Sequence, residues 1–251
     1  MSISDGLRGI MTLMAGLVVM LSGCGSALPD YRYRLTVEVE TPEGLKTGSS
    51  VVEVSTAIAG KNSIPSPGYV SRRARGDAVT VDLGKRGVLF GLLRSDENSD
   101  WAAGVMFGFA PDVPIPRDAD GKYDTAAHFR ARYMAMLENR KLIVLPERFK
   151  SSKGLARPML VRFRDITDPT TVERVDPDDL AISFGEGVRL RRVTIQLTDD
   201  PVITGIEKHL RWLDSYRSNK FDGSKSSITD RRKKNLASQL SAGSFSTEFA
   251  R

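Results

Sequence analysis

The chain has 251 residues, a net charge of +6, and a composition that is 40% hydrophobic and 27% charged. This is the composition of an ordinary soluble globular protein. Its one cysteine excludes a disulfide within the chain, and its two histidines nearly exclude a histidine-based catalytic triad or a multi-histidine zinc site.

The N-terminal region up to residue 23 has the layout of a secretory signal sequence. A start with one arginine, Arg8, and one aspartate, Asp5, precedes an uncharged run from Ile10 to Leu21. An apolar core of about 7–15 residues followed by small residues is typical of a cleaved signal, whereas a spanning helix needs about 20 apolar residues. The pattern therefore predicts removal of residues 1–23. An uncleaved signal anchor with an incidental cysteine is the alternative.

The stretch LSGC at positions 21–24 resembles the lipobox of bacterial lipoproteins. The resemblance implies cleavage before Cys24, a diacylglycerol on its sulfur and usually a further acyl chain on the freed amine. Two or more acyl chains attach a protein firmly to a membrane, so residues 24–30 are expected to form a lipidated tether. Because residue 25 is Gly rather than Asp, the resemblance favours the outer membrane over the inner membrane, with the protein facing the periplasm.

The segment after this tether predicts a half-buried strand. In YRYRLTVEVE, residues 31–40, one face carries the tyrosines, leucine and valines, and the other carries polar side chains, which is the strand period of two. Turn residues at 41–44 and a returning strand at 49–57 predict a hairpin. A second hairpin is predicted from strands at 78–83 and 87–93.

The middle of the chain adds one clear helix to these strands. The apolar run at 101–110 is interpreted as a buried strand, whereas residues 125–139 predict a helix because Asp124 can cap it and no Gly or Pro interrupts it. Further elements are predicted as strands at 141–145, 159–165 and 188–198 and short helices at 176–185 and 202–210. The expected fold is α+β, mainly β, with antiparallel strands and hairpins, one long helix and a few short ones, in a single domain over residues 31–216.

The stretch RDADGKYD at 117–124 contains the D-x-D-G piece of a calcium loop. Its candidate metal ligands are Asp118, Asp120 and Asp124. A full EF-hand loop also needs a carboxylate at its first position and a glutamate at its twelfth, where this chain has Pro116 and Ala127. The favoured interpretation is an Asp-Gly turn that leads into a capped helix, and no cofactor is predicted.

Two Asp-Pro pairs, at 168–169 and 176–177, stand out in the following region. Aspartate as N-cap and proline at the first helical position predict a helix start at each pair. The alternative is a cation site built from Asp165, Asp168, Asp176 and Asp179. Residues 159–213, which include both pairs, resemble a group of uncharacterised proteobacterial proteins, and this resemblance implies no known activity.

Residues 217–251 carry +5 of the net charge and eight serines. A segment of this composition is expected to be largely disordered, with a short basic helix over 227–240. Contact with anionic lipid heads or lipopolysaccharide phosphates is expected from Arg231, Arg232, Lys233 and Lys234, at about 1 kcal/mol per charge. A solvated tail without a partner is the alternative. Because the excess charge lies in the tail, the body carries no nucleic-acid signature.

These features favour a membrane-anchored lipoprotein of the cell envelope that acts as a non-enzymatic binding or assembly module. Its expected partners are the membrane, through the lipid anchor, and an envelope protein. One alternative is a cell-envelope hydrolase that uses paired carboxylates, which sequence alone cannot locate. Another is a phage- or plasmid-encoded envelope lipoprotein that inhibits a partner.

Overall fold

The computed structural model of the chain describes residues 26–60, 63, 68–150, 154–225 and 235–249. Within them the fold is mainly β, and the strands pair in antiparallel fashion. The strands are β1 (Ser26–Ala27), β2 (Tyr31–Thr41), β3 (Gly44–Ile58), β4 (Val70–Arg75), β5 (Val79–Asp82), β6 (Val88–Gly91), β7 (Ile143–Val144), β8 (Leu160–Phe163), β9 (Val172–Arg174) and β10 (Arg189–Thr198). The α-helices are α1 (Trp101–Gly104), α2 (Thr125–Glu138) and α3 (Leu180–Phe184). Short 3₁₀ turns lie at Gly84–Arg86, Met106–Phe109, Pro169–Thr171, Ile206–Lys208, Leu213–Tyr216, Leu236–Ser238, Ala242–Ser244 and Thr247–Phe249.

The first sheet is built around β2, in which buried and half-exposed side chains alternate along the whole strand. β2 pairs with β3 through a tight turn and with β10 on its other side. The predicted strand and hairpin are therefore confirmed, although β3 starts at Gly44 and is longer than expected. The second half of β3 pairs with β1 on one side and with β4 on the other.

The second sheet has the order β5-β6-β8-β9 and contains the second predicted hairpin, β5–β6. It comes very close to the first sheet at Gly48 of β3. A Cβ atom at Gly48 would lie 2.1 Å from the carbonyl oxygen of Thr80 in β5. Glycine is therefore the residue that allows β5 to cross β3 at this distance.

The first described residues form a strand rather than a tether. Ser26 and Ala27 pair with the last two residues of β3. The next residue, Leu28, is buried and donates its backbone N–H to the carbonyl oxygen of Thr56, 2.9 Å away. The predicted tether over residues 24–30 is therefore wrong for its described part, because β3 offers a free edge to which the chain adds at once. Cys24 itself lies outside the described residues.

The interpretation of residues 101–110 as a strand is wrong. The segment forms α1 and a 3₁₀ turn, because an apolar run without periodicity fits a buried helix as well as a buried strand. Two hydrogen bonds hold α1 in the core. Trp101 Nε1 donates to the carbonyl oxygen of Ala156 at 3.1 Å, and the Tyr33 hydroxyl donates to that of Ala102 at 2.8 Å.

The helix predicted at 125–139 is present as α2, and its N-terminus is capped as expected. Asp124 Oδ1 accepts a hydrogen bond from the backbone N–H of Ala127 at 2.8 Å. The expectation of one long helix is not confirmed, because α2 has 14 residues and the other two α-helices have four and five. None of the helices in the described part of the chain is long and apolar enough to cross a membrane.

Residues 217–225 and 235–249 are packed, so the prediction of a largely disordered tail is wrong for these segments. Phe221, Leu240 and Phe245 have no exposed surface. They cover the outer face of the second sheet, where the Phe245 ring lies 5.7 Å from that of Phe90, and form a second core with it. The serine-rich composition predicted disorder, although the segment contains a few large apolar residues that fill this core. The domain therefore does not end at residue 216, and Arg231, Arg232, Lys233 and Lys234 lie outside the described residues.

The second core provides a direct test of this correction. Phe245→Ala should lower the free energy of unfolding by about 3–5 kcal/mol, because it leaves a cavity among buried rings. Urea unfolding of the full chain measures this loss. The control variant Gln239→Ala changes an exposed residue of the same segment and should stay within about 0.5 kcal/mol of the original protein. An unchanged unfolding midpoint for Phe245→Ala would show that the C-terminal segment is not packed.

Candidate functional site

β4 lies at an edge of the first sheet, and its outer side has backbone groups without a strand partner. The backbone N–H of Ala59 bonds the carbonyl oxygen of Tyr69 at 2.8 Å. Hydrogen-bonded pairs alternate along an antiparallel ladder, so the odd-numbered residues of β4 bond to β3. On the other side of β3, the carbonyl oxygen of Thr56 accepts from the backbone N–H of Leu28. Even-numbered residues of β3 thus bond toward the β1 side and odd-numbered ones toward β4. The N–H and C=O groups that point away from the sheet belong to Val70, Arg72 and Ala74.

The chain itself adds an extended segment to this edge immediately after β4. Gly76 N donates to the Thr247 hydroxyl at 2.8 Å, and Thr247 N donates to the Gly76 carbonyl oxygen at 3.1 Å. Ala78 N donates to the carbonyl oxygen of Phe245 at 2.7 Å. The C-terminal segment therefore closes the edge from Gly76 onward. Residues 70–74, which we call the open edge, make no backbone bond to it within the described chain.

The open edge borders a cavity of about 290 Å³. Arg72, Arg73 and Ala74 form one side, Ala102 and Ala103 of α1 form another, and Gly243 and Thr247 close one end. Leu93, Ser99 and Asp100 complete the lining. A cavity of this size beside residues 72–74 leaves room for part of an extended peptide.

Positive charge accumulates at the open edge. Arg75 and Arg32 share the carboxylate of Glu53, at N–O distances of 3.2 and 2.7 Å, and the hydrogen bond from Arg32 lowers the pKa of Glu53. Arg72 and Arg73, by contrast, have no carboxylate within 4.0 Å among the described residues. The edge therefore presents two guanidinium groups that an acidic partner could neutralise.

Aromatic rings support the guanidinium of Arg72. Its central carbon lies 5.3 Å from the centre of the Phe107 ring and 5.8 Å from that of the Phe129 ring. These two rings stack on each other at 4.5 Å. Cation–π contacts of this kind hold the charge near the rings without neutralising it, so Arg72 stays available for an anion.

The aspartates of the calcium-like stretch hold a turn and a helix cap. Asp118 Oδ1 accepts from the backbone N–H groups of Asp120 and Lys122, at 3.0 and 2.9 Å. Asp124 caps α2 as described above. This confirms the turn interpretation. Within the described ranges, no group of three or more His, Cys, Asp or Glu side chains is arranged to hold a metal ion.

The two Asp-Pro pairs behave differently. Asp168 caps the 3₁₀ turn that follows it, through a 2.9 Å bond from the backbone N–H of Thr170, as expected. The second pair does not start a helix. Asp176 accepts from the N–H of Asp178 in a turn, and α3 begins only after Asp179, whose side chain makes no capping bond. Asp165 Oδ1 accepts a hydrogen bond from the backbone N–H of Thr167, two residues along the chain.

The open edge was not predicted from the sequence. VSRRAR at 70–75 lacks apolar alternation, because half of the strand faces solvent and its inner position 72 holds an arginine over aromatic rings. The pairing of Ser26–Ala27 was also missed, because two residues are too few to show a period. The three arginines at positions 72, 73 and 75 were the one available signal.

The comparisons with known proteins do not assign this site. No family model, no curated protein and no solved structure matches the chain. The resemblance of residues 159–213 to uncharacterised proteobacterial proteins and the lipobox resemblance around Cys24 both stay predictions.

Asp77 holds the junction where the open edge ends. It is 3% exposed, and its Oδ2 accepts from the backbone N–H of Ile206 at 3.0 Å. Its own carbonyl oxygen accepts from the Ser50 hydroxyl at 2.7 Å, and it forms a bridge with Ser246. Its Oδ1 has no hydrogen-bond partner among the described residues. Burial of this carboxyl group raises its pKa.

This raised pKa predicts how stability depends on pH. The folded protein binds the Asp77 proton more tightly than the unfolded chain does, so its contribution to stability is complete below the unfolded pKa of about 3.9 and falls as pH rises through the folded value. Asp77→Asn should therefore lose less stability than the original protein between acidic and neutral pH, in urea titrations across that range. The exposed residue Asp112 provides a control, and Asp112→Asn should follow the original protein. Parallel curves of stability against pH for all three proteins would contradict a raised pKa of Asp77.

Proposed function

We propose that the protein is a lipid-anchored, non-enzymatic binding module of the bacterial cell envelope. Its ligand is an extended, acidic segment of a partner protein, which adds as a further strand to the open edge of β4. The observation that carries this proposal is the row of backbone groups without a strand partner at Val70, Arg72 and Ala74, with a cavity beside Arg72 and Ala74.

Strand addition suits this edge on physical grounds. Main-chain hydrogen bonds to an exposed edge supply affinity, and side chains along the strand supply specificity. The chain's own C-terminal segment already pairs with the continuation of this edge at Gly76–Ala78. The backbone there has therefore the twist and spacing that an added segment needs.

The arginines determine which segment fits. Two copies of this edge would bring Arg72 and Arg73 against like charges, which is unfavourable, and charged edge residues are a known protection against self-association. A partner with acidic side chains at matching positions would neutralise both. Charge complementarity therefore favours a different, acidic chain over a second copy of this one.

The hydrolase alternative receives no comparable support. Among the described residues, Asp77 is the carboxyl group with a raised pKa. It lies under the C-terminal segment and is bonded to backbone, and Glu207, the carboxylate whose charge adds to the rise of its pKa, is exposed to solvent. We therefore place the function at the edge and not at an acid pair.

The test is site-specific photo-crosslinking in intact envelopes. A photoreactive amino acid at Ser71, an exposed residue of β4, should crosslink to one defined protein, identified by mass spectrometry, whereas the same probe at Val144 on β7 should not. Val144 is a matched control, because it is exposed and lies at the opposite edge of the same sheet.

A second variant tests the backbone contact itself. The N–H of Ala74 points away from β3, so Ala74→Pro removes an outward donor without removing a ladder bond, and proline is tolerated at such edge positions. It should reduce the crosslink from position 71 by about tenfold, the equivalent of one strong hydrogen bond, with an unchanged thermal midpoint. A crosslink that persists in Ala74→Pro, or no crosslink from position 71, would contradict strand addition.

A further inference from the structure

We propose that the anchored protein rests on the bilayer with one defined end, and that the exposed side chains of Tyr69, Ile115 and Tyr123 enter the interfacial region of the membrane there. The inference rests on the lipid anchor of the proposed function. It adds an orientation to that anchor and a second contact with lipid.

The length of chain next to the anchor sets the geometry. Only Gly25 lies between Cys24 and Ser26, and two residues span at most about 7 Å. Ser26 is already fixed in the sheet by its pairing with Ile58. A lipid on Cys24 therefore brings the end of the sheet near Ser26 to the surface of the bilayer.

Tyr69 lies at this same end. β1 runs antiparallel to β3, with Ser26 opposite Ile58, so Ala59, the residue after Ile58, lies at the Ser26 end of the sheet. Ala59 N bonds the carbonyl oxygen of Tyr69. The Tyr69 side chain, which follows a turn and is 62% exposed, is therefore on the anchor side of the sheet.

The direction of α2 places a second segment at the anchor end. Arg130 of α2 donates to the Ser26 hydroxyl at 2.6 Å, and the Tyr133 hydroxyl donates to the carbonyl oxygen of Pro29 at 2.8 Å. Arg140, just past the end of α2, lines a cavity together with Arg32. The helix thus runs in the same direction as the chain from Ser26 to Arg32. Its N-terminus, and the loop that precedes it, therefore lie at the Ser26 end of this segment.

That loop carries exposed apolar and aromatic side chains. Ile115 is 48% exposed and Tyr123 is 63% exposed. The guanidinium of Arg117 lies 4.5 Å from the centre of the Tyr123 ring. Tyrosine suits the membrane–water interface because its ring is apolar and its hydroxyl is polar, and arginine can keep its charged group at the headgroups while its stem lies deeper.

The charges of the loop indicate which part of the bilayer it meets. Residues 111–124 contain four aspartates against Arg117 and Lys122. A segment with this balance is not attracted to anionic headgroups. We therefore assign the contact to the apolar side of the interface, reached by Ile115 and the two tyrosines.

The test uses fluorescent labels on the full-length, lipidated protein in vesicles that contain spin-labelled lipids as quenchers. Because Cys24 is the only cysteine and its sulfur carries the lipid, a second cysteine is the one free thiol. Labels are attached to Tyr69→Cys, Tyr123→Cys and the control Ile182→Cys. Ile182 is 81% exposed and lies beside Phe184, whose carbonyl oxygen accepts from Arg86, the ion-pair partner of Glu43 in the β2–β3 turn.

The control position is far from the anchor. β2 extends from Tyr31 to Thr41, and at about 3.3 Å per residue the turn lies roughly 30 Å from the anchor end. Quenching should be at least about twofold stronger at positions 69 and 123 than at 182. It should be the same in vesicles of phosphatidylcholine alone and in vesicles with added phosphatidylglycerol.

Three results would overturn the inference. Equal quenching at 69, 123 and 182 would show that the anchored protein has no preferred orientation, and quenching that requires phosphatidylglycerol would show an electrostatic contact in place of the interfacial one. The third concerns the anchor. The original chain should incorporate a fatty-acid probe and Cys24→Ser should not; if the original chain carries no probe, the anchor of the proposed function fails as well. If the fatty-acid probe is incorporated but quenching is not stronger at positions 69 and 123, only the proposed orientation fails, and the lipid anchor stands.

Discussion

The hydrogen bond from Leu28 N to the carbonyl oxygen of Thr56, together with the pairing of Ser26 and Ala27 with β3, is the constraint on which the functional account depends. It makes the chain from Ser26 onward part of the sheet. A lipidated protein with a long tether can tumble above a membrane, whereas a fixed residue two positions after the lipidated cysteine permits only a narrow range of orientations. In the anchored protein that we propose, the end of the molecule that carries Tyr69 and the loop before α2 faces the lipid.

The same constraint links the proposed anchor to the proposed binding site. β4 begins opposite Ile58, as β1 does, so in the anchored protein that we propose the open edge starts close to the membrane and leads away from it. The C-terminal segment pairs with the edge from Gly76 onward. At this point Asp77 accepts hydrogen bonds from the backbone N–H of Ile206 and from the Ser50 hydroxyl. A partner strand would therefore be captured near the bilayer surface, beside Arg72 and Arg73.

Sequence reasoning succeeded where a single local rule decides the structure. The alternation from Tyr31 to Glu40 gave β2, and the cap at Asp124 gave the start of α2. It failed where distant contacts decide. The run at 101–110 packs as a helix because Trp101 reaches Ala156. Phe221 and Phe245 belong to a core whose other half lies on the second sheet, so their own serine-rich surroundings gave no sign of it. The open edge is a property of which strands pair, and no pattern within six residues contains that information.

The central claim is that the chain is held in the sheet from Ser26 onward, two residues after the cysteine that we propose carries the lipid. Amide hydrogen exchange, measured by mass spectrometry on the lipidated protein in vesicles, tests it at the residues concerned. The account predicts that the amide of Leu28 is protected to a degree comparable with the amides of β2, because it is bonded to Thr56 inside a folded sheet. Exchange of Leu28 at the rate of an unstructured peptide would contradict the claim, and with it the fixed orientation at the membrane.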